Sequence, residues 1–500
     1  MSRNRFMLLL LALVAAATVA LTGCTNVAES TYKSPTTANT EPNAAGKIPV
    51  TTSSDEARKE FLQGRDLNEK LLIQDSIQHF DKAISLDPTF AWAELSRAQV
   101  SPTGKEFFDH LKKAVSLSDK TSNGEKLLIL GTEAGANGNP AKQKEYLDQL
   151  IAAYPNDERA NFALGAYYFG QQDFPRAIQY YKKATELAPG FSSAYNLLGY
   201  AYRQNVDYAN AEQSFKKYIE LIPNDPNPYD SYAELLLKMG RFDDSITQYR
   251  NALAKDQNFI NAHQGIAAAL LYKGNAAEAT AELQKITDKA RSDAERRTAL
   301  FALTVVSVDS GKWDKALEDV DKQYALGEKT NDVPGMTGDL QLKGNIMLEM
   351  GKYDEAKALY ERGLKMTEDS SLSQEIKDNA RLFHHYNLAR VALGKKDLAT
   401  AKTEAEAFRK GTEAKNNPAQ TRQAHELVGM IALEEKDYNK AVSELQQANQ
   451  QNPYDLYRLC QAYQGKGDLN QAKGFCKKAA EFNSLPAINY AFIRRKAAQA

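Results

Sequence analysis

The sequence predicts an all-α protein, a solenoid of repeated helix pairs, and two observations carry this prediction. Near-copies of one ten-residue stretch recur along the chain, for example GKYDEAKALY at 351 and GRFDDSITQY at 240. The residues that open these stretches follow one another at intervals of 34 from Gly138 to Gly274, and the series continues to Gly467. Upstream copies at Leu71 and near Lys105 bring the total to about twelve units. A fixed period of this length is typical of a supersecondary unit that stacks on copies of itself.

Each unit is predicted to contain two helices joined by a short turn. Apolar residues at i, i+3 and i+4 give the first helix one stripe that meets its partner. The ten residues that align at the turn are Gly138, Gln172, Val206, Gly240, Gly274, Gly311, Gly351, Lys396, Lys436 and Gly467. Small residues such as Gly165 and Ala177 are expected where the two helices cross, and Pro189 ends the pair because proline cannot continue a helix.

The same residues carry a family resemblance. The unit marked by Leu164, Gly165, Tyr168, Ala177, Tyr181, Ala184 and Pro189 resembles the tetratricopeptide repeat (TPR), and similar units follow to Pro453. The resemblance implies a right-handed superhelical α-solenoid of about twelve TPR helix pairs with a C-terminal capping helix. It also implies a non-enzymatic protein that binds partners in a concave groove.

Composition and motifs argue against two classes of function. The chain has 63 basic and 64 acidic residues for a net charge of −1, whereas a nucleic-acid-binding protein usually carries a clear basic excess. No G-x-S-x-G, H-E-x-x-H or P-loop pattern occurs. We therefore expect no enzyme activity, no cofactor, no metal site and no nucleic-acid partner.

The N-terminal sequence predicts an export signal with a lipid attachment site. Arg3 and Arg5 precede an apolar run that is short for a membrane span and ends in Leu21-Thr22-Gly23-Cys24. This ending resembles the lipobox of bacterial lipoproteins, which implies a signal peptide over 1–23 and lipidation of Cys24. Thr25 in place of Asp implies the outer membrane, facing the periplasm or the cell surface. Residues 24–54 are predicted to form a flexible tether.

The repeat period suggests how the remaining chain is divided. A regular array is predicted over 55–290, a second array with longer helices over 291–483, and a capping helix over 484–500. Terminal repeats need such a cap because their outer face has no neighbour. Trp92, beside the degenerate second unit, is expected to be partly exposed.

Histidines and cysteines raise two further questions. His263, His385 and His425 share one repeat position, where packing is favoured over metal binding because stacked units do not bring the three together. Cys460 and Cys476 lie sixteen residues apart on facing helices of one unit. In an oxidising compartment they would form a disulfide, and the alternative is two buried thiols.

The candidate binding surface is the set of first-helix residues that face away from the pair core in the regular array. These residues are Arg159, Phe162, Phe169, Asn196, Tyr200, Arg203, Asp230, Glu234, Asn261 and Gln264. Aromatic, guanidinium and amide groups suit an extended peptide or a partner helix. The alternative is a mixed, solvated groove without one ligand.

The expected function is a lipid-anchored scaffold or adaptor of the bacterial cell envelope whose partners are other envelope proteins or peptides. Two alternatives stay open at this stage: a glycan-binding helical lipoprotein and an accessory subunit of a cell-wall enzyme. The identity of the partner and the oligomeric state are not determined by the sequence.

Overall fold

The structure is a computed structural model that describes residues 46–69 and 72–500. Over these residues the chain contains 25 α-helices and no strand, so the predicted all-α helical-repeat fold is confirmed. The helices up to residue 289 are α1 (Asp55–Glu69), α2 (Ile73–Leu86), α3 (Ala91–Gln99), α4 (Gly104–Leu117), α5 (Asn123–Ala136), α6 (Pro140–Ala153), α7 (Glu158–Gly170), α8 (Phe174–Leu187), α9 (Ser192–Gln204), α10 (Tyr208–Leu221), α11 (Pro226–Lys238), α12 (Phe242–Lys255), α13 (Ile260–Tyr272) and α14 (Ala276–Lys289). The remaining helices are α15 (Asp293–Asp309), α16 (Trp313–Lys329), α17 (Val333–Glu349), α18 (Tyr353–Glu368), α19 (Gln374–Gly394), α20 (Leu398–Lys415), α21 (Pro418–Glu434), α22 (Tyr438–Leu445), α23 (Pro453–Lys466), α24 (Leu469–Ala480) and α25 (Ile488–Gln499).

The described chain divides into two compact units, which are treated separately below. The first unit contains the described residues up to Leu235 together with Ala254–Gln257, and the second contains Leu236–Leu253 and Asn258–Ala500. In each unit an odd-numbered first helix packs on the even-numbered second helix that follows it, and neighbouring pairs stack. The boundary predicted at residue 290 lies inside the second unit and remains a prediction. Helices do lengthen after it, from 13 residues in α7 to 21 in α19.

The turns between paired helices share one backbone geometry. All ten aligned turn residues have positive φ, from 62° at Val206 to 92° at Gly274. This left-handed conformation ends a helix by redirecting the chain, and it favours glycine because a Cβ crowds the backbone. The common conformation explains why these residues align at a fixed place in every repeat.

Close packing inside each pair requires the first-helix glycines. A Cβ on Gly165 would lie 2.8 Å from the ring of Tyr181, and one on Gly199 would lie 2.7 Å from the ring of Phe215. The glycines thus make room for a large second-helix ring, whereas the sequence analysis placed Gly165 against the small Ala177.

An extended segment, residues 46–54, lies along the first unit, and we call it the N-terminal strap. The backbone N–H of Ile48 donates to Asp157 at 2.9 Å, and that of Thr51 donates to Glu125 at 2.8 Å. The Thr52 hydroxyl donates to Asp87 at 2.6 Å. The strap therefore crosses the amino ends of α7 and α5 and the turn between α2 and α3. The sequence assigned these nine residues to the flexible tether. The structure corrects this end of the tether, because buried and partly buried hydrogen bonds hold it on the repeats.

The C-terminal segment, residues 481–500, lies along the second unit. Its backbone accepts hydrogen bonds from Lys238 and Tyr272, and two of its basic side chains pair with Asp309 and Glu349. These four partners are the last residues of the consecutive first helices α11, α13, α15 and α17. The predicted capping helix thus packs on the last pair and on α15, and the residues just before α25 reach α11 and α13.

Candidate functional site

Polar side chains connect the first helices of consecutive repeats in the first unit. The Tyr200 hydroxyl donates to Glu234 at 3.0 Å, and Arg203 Nη1 donates to the same carboxylate at 3.1 Å. The Arg203 guanidinium also lies 4.6 Å from the centre of the Tyr200 ring. We call these contacts between successive first helices the first-helix ladder. They hold Tyr200 and Glu234 buried, so both predicted groove residues position their neighbours and offer little surface to a partner.

Phe162 was predicted to line the groove, and the structure corrects this. Its side chain is fully buried, with its ring centre 5.5 Å from that of Tyr181 and 4.8 Å from that of Phe191. Rings of its own repeat and of the next one contact it, so it packs in the core of the stack. Trp92, expected to be partly exposed, is also fully buried and packs on Phe61 at 5.7 Å between ring centres.

Other predicted groove residues are also largely covered. Asp230 and Gln264 are buried, and the Gln264 amide donates to the backbone oxygen of Thr298 at 3.1 Å. Asn261 is half-buried. Arg159 is buried at the start of α7, with its guanidinium 3.6 Å from Glu158. Contacts between first helices therefore occupy four of the eight polar side chains that the sequence assigned to a partner, namely Tyr200, Arg203, Glu234 and Gln264.

Three of the predicted residues keep partial exposure around Tyr200. Phe169, Asn196 and Arg203 are all half-buried, and Phe169 packs against the same cluster as the Tyr200 ring. Among the described residues, Asn196 Oδ1 and Arg203 Nε have no hydrogen-bond partner. We call these three residues the Tyr200 patch. An aromatic ring, an amide and a guanidinium at one place can contact a peptide by stacking and by hydrogen bonds.

Comparison with protein-family models identifies the repeat that the turns and glycine contacts describe. The tetratricopeptide repeat family matches residues 130–192 and 168–226, and a tetratricopeptide repeat-like domain matches residues 261–382. These matches contain six of the ten aligned turn residues and both glycine contacts described above. The chain is a tetratricopeptide-repeat protein. Such repeats typically form non-enzymatic scaffolds that bind other proteins.

Solved structures similar to this TPR protein include two MamA proteins and a further TPR protein. A crystal structure of MamA is 23% identical, with a TM-score of 0.29, and the match covers 35% of this chain and 94% of that one. MamA from Desulfovibrio magneticus RS-1 is 17% identical with a TM-score of 0.29, covering 34% and 98%. A TPR protein from Parabacteroides merdae is 13% identical with a TM-score of 0.33, covering 53% and 98%. No curated protein matches the chain in sequence.

The TPR protein has a second ladder, in its second unit, which the sequence analysis did not predict. Asp339, Glu426 and Arg458 are its buried charged members. Arg297 pairs with Asp339 at 2.8 Å, Tyr386 donates to Glu426 at 3.0 Å, and Arg458 donates to Glu426 at 2.5 Å. Burial alone would lower the pKa of Arg458, but Glu426 and Asp455 raise it above its ordinary value. The sequence feature that could have predicted this ladder is a polar residue that recurs at first-helix positions one repeat apart.

Five histidines each contact one glutamate through Nδ1. His263, His385 and His425 contact the glutamate nineteen residues later on the second helix of the same repeat, at 2.5, 2.6 and 2.7 Å. The other two pairs are His79–Glu60 and His110–Glu94. Within the described residues no group of three or more His, Cys, Asp or Glu is arranged to hold a metal ion. The shared position therefore reflects a recurring contact between paired helices.

The cysteines and the export signal complete the predicted sites. The structure joins the sulfurs of Cys460 and Cys476, whose Cα atoms are 5.1 Å apart, a separation usual for disulfides. Their oxidation in the cell stays a prediction. Cys24, the signal peptide over 1–23 and tether residues up to 45 lie outside the described residues. Over the described chain, no helix has both the length and the apolar character that crossing a membrane would need.

Proposed function

We propose that this TPR protein is a lipid-anchored, non-enzymatic adaptor of the bacterial cell envelope. Its partners would be other envelope proteins or peptides, and Cys24 would carry the anchor in the outer membrane. The lipobox and the TPR repeats support the two halves of this proposal. A tethered scaffold raises the local concentration of its partners at the membrane without any chemical step.

The observation that carries the binding half is the Tyr200 patch. The ladder contacts of Tyr200 and Arg203 with Glu234 hold α9, which carries Asn196 and Arg203, against α11. Phe169, on α7, packs against the apolar cluster that contains the Tyr200 ring. A partner thus meets side chains whose backbone is already ordered, which reduces the entropy lost on binding. Aromatic and arginine side chains dominate the energy of most protein interfaces.

A site-specific crosslinking experiment tests the binding surface. A photoreactive amino acid at Asn196 should yield discrete crosslinks to envelope proteins in intact cells. The matched control carries it at Gln213, an exposed residue on the second helix α10. Phe169→Ala should weaken the crosslinks at residue 196 at least severalfold. The same products from positions 196 and 213, or no effect of Phe169→Ala, would contradict a role for the patch.

Membrane fractionation tests the anchor separately. The natural protein should sediment with outer membranes, and Cys24→Ala should release it into the soluble fraction. Thr25→Asp should move the protein to inner membranes, because Asp after the lipidated cysteine is the retention signal implied by the lipobox resemblance. A Cys24→Ala protein that still behaves as the natural protein does would rule out the lipid anchor and leave the binding surface untouched.

A further inference from the structure

A pocket lies between the N-terminal strap and the start of α7, in the first unit. Its volume is about 440 Å³, within the range of small-molecule sites in proteins. Pro49 from the strap and Leu187 from the end of α8, both half-buried, form part of its apolar wall. Lys47, Arg58 and Arg159 line it together with a single carboxylate, that of Glu158. The pocket therefore combines an apolar surface with an excess of positive charge.

Glu158 neutralises only part of that charge. Lys47 donates to Glu158 and to the backbone oxygen of Asn156, and the Arg159 guanidinium lies 3.6 Å from the same carboxylate. Burial alone would raise the pKa of Glu158, but Arg159 and Lys47 lower it below its ordinary value. The carboxylate is therefore ionised at neutral pH and is shared by two cations.

The arginines retain unused hydrogen-bonding capacity. The Arg159 side chain is only 7% exposed, and its Nε has no hydrogen-bond partner among the described residues. Arg58 is half-buried, and its guanidinium pairs with no carboxylate of the described chain. A buried cation without a full set of partners is costly, and a bound anion would remove that cost. Planar guanidinium groups suit carboxylate and phosphate oxygens, which they can bind in a bidentate manner.

We propose that this pocket binds a small amphiphilic anion, with a carboxylate or phosphate head at Arg58 and Arg159 and an aliphatic part on Pro49 and Leu187. The inference goes beyond the proposed function, since it concerns a small molecule and a site away from the Tyr200 patch. Because the strap forms one wall, the bound ligand contacts both the strap and the repeats. The ligand thus links the segment that follows the predicted anchor to the body of the first unit.

Calorimetric titration tests the site, using the mature chain from residue 24 with Cys24→Ala so that no lipid is attached. The probes are octanoate, octyl phosphate, inorganic phosphate and octylamine. Octanoate or octyl phosphate should bind one to one, and the stronger of the two identifies the head group. Octylamine should not bind, because its head is cationic. Inorganic phosphate should bind at least tenfold more weakly than octyl phosphate.

Three variants distinguish this pocket from other sites. Arg58→Gln should weaken binding of the preferred probe at least tenfold, whereas Arg176→Gln, an exposed arginine on α8, should leave it unchanged. Leu187→Trp should abolish binding by filling the pocket while its charges remain. No saturable binding of either anionic probe would overturn the proposal. So would equal affinities in Arg58→Gln and Arg176→Gln, or equal binding of inorganic and octyl phosphate.

Discussion

Val206 shows at the scale of one residue how strongly the repeat imposes its turn. It is β-branched, it is 69% exposed, and its φ is 62°, a conformation that such residues rarely adopt. The equivalent position in five other repeats from Gly240 onward is glycine. The turn therefore sets the backbone, and at Val206 the side chain is strained because nothing packs against it in compensation.

Val206→Gly is expected to stabilise the protein by about 1 kcal/mol. Relief of the left-handed strain is worth roughly 1–2 kcal/mol, and the greater freedom of glycine in the unfolded chain cancels part of it. Urea unfolding would measure the change. Val206→Ala, which keeps a Cβ, is the control, and its stability should rise little. An equal rise in stability in both variants would contradict the strain argument.

The His263–Glu282 contact is predicted to make stability depend on acid pH. The hydrogen bond from His263 lowers the pKa of Glu282 from 4.5 to about 2. A carboxyl group with a lowered pKa in the folded state stabilises the protein above its unfolded pKa, and this is lost as pH falls through the folded value. Glu282→Gln should therefore lower the free energy of unfolding by about 1 kcal/mol near neutral pH, after allowance for solvent screening.

The loss of stability caused by Glu282→Gln should disappear as the pH falls from about 4.5 to about 2, because Glu282 becomes protonated in the natural protein. Free energies of unfolding from urea titrations across this range would measure it. Glu278→Gln, at an exposed position on the same helix, is the control and should follow the natural protein at every pH. A constant difference between natural protein and Glu282→Gln would show that ionisation of Glu282 is not involved.

The residue types alone predicted the surroundings of some residues correctly and those of others wrongly. The ten turn residues aligned correctly because a left-handed turn recurs once per repeat. Phe162 was misplaced because a first helix that is covered on all sides looks, in sequence, like one with an open face. Which side a neighbour covers is a property of the stack, so burial of Phe162 and Trp92 could not be predicted locally.

At the scale of elements, helix α25 stabilises the second unit through one buried ion pair. Arg494 Nε and Nη2 donate to both oxygens of Asp309 at 2.7 and 2.6 Å, and the Asp309 side chain is 1% exposed. The next residue, Arg495, also approaches Asp309 but at 3.5 Å, and its side chain is 58% exposed. The two adjacent arginines thus differ in burial and in geometry.

Arg494→Met is expected to destabilise the second unit by about 3 kcal/mol, because Asp309 would be left as a buried charge without its main partner. Arg495→Met, the matched control, should cost less than about 1 kcal/mol, as exposed pairs do. Urea unfolding followed by circular dichroism would measure both. Similar losses in the two variants would mean that the pair at Asp309 is not what holds α25.

The cysteine pair is predicted to link α23 and α24. A disulfide that closes a loop of this length stabilises by roughly 3 kcal/mol. Denatured protein should therefore gain two free thiols on reduction, and its midpoint of unfolding should fall. The Cys460→Ala/Cys476→Ala variant controls for the reductant and should show neither change. No gain of thiols in the natural protein would establish that both cysteines are free.

At the scale of the whole molecule, the strap is the first segment of the described chain, and it packs on the repeats. The sequence predicts a flexible tether after Cys24, and the structure shows Lys47 bound to Glu158 and to the backbone of Asn156. Trypsin cleaves flexible segments far faster than packed ones. Brief digestion of the mature chain should therefore cut after Lys33 and spare the bond after Lys47.

Mass spectrometry of the large fragment would identify the first cut. The Glu125→Gln/Asp157→Asn variant weakens the acceptors of the strap and should expose Lys47 to cleavage. Early cleavage after Lys47 in the natural protein would contradict a bound strap.

The sequence by itself determined the repeat, its two-helix unit, the turn positions and the absence of recognised catalytic motifs, because these depend on residues within about forty positions of one another. It also raised the prediction of an exported, lipid-anchored protein. Only the tertiary structure decided what each terminal segment contacts and which first-helix side chains remain accessible. Lys238 and Phe482 meet across 244 positions, and such a contact depends on how successive pairs stack rather than on any local pattern.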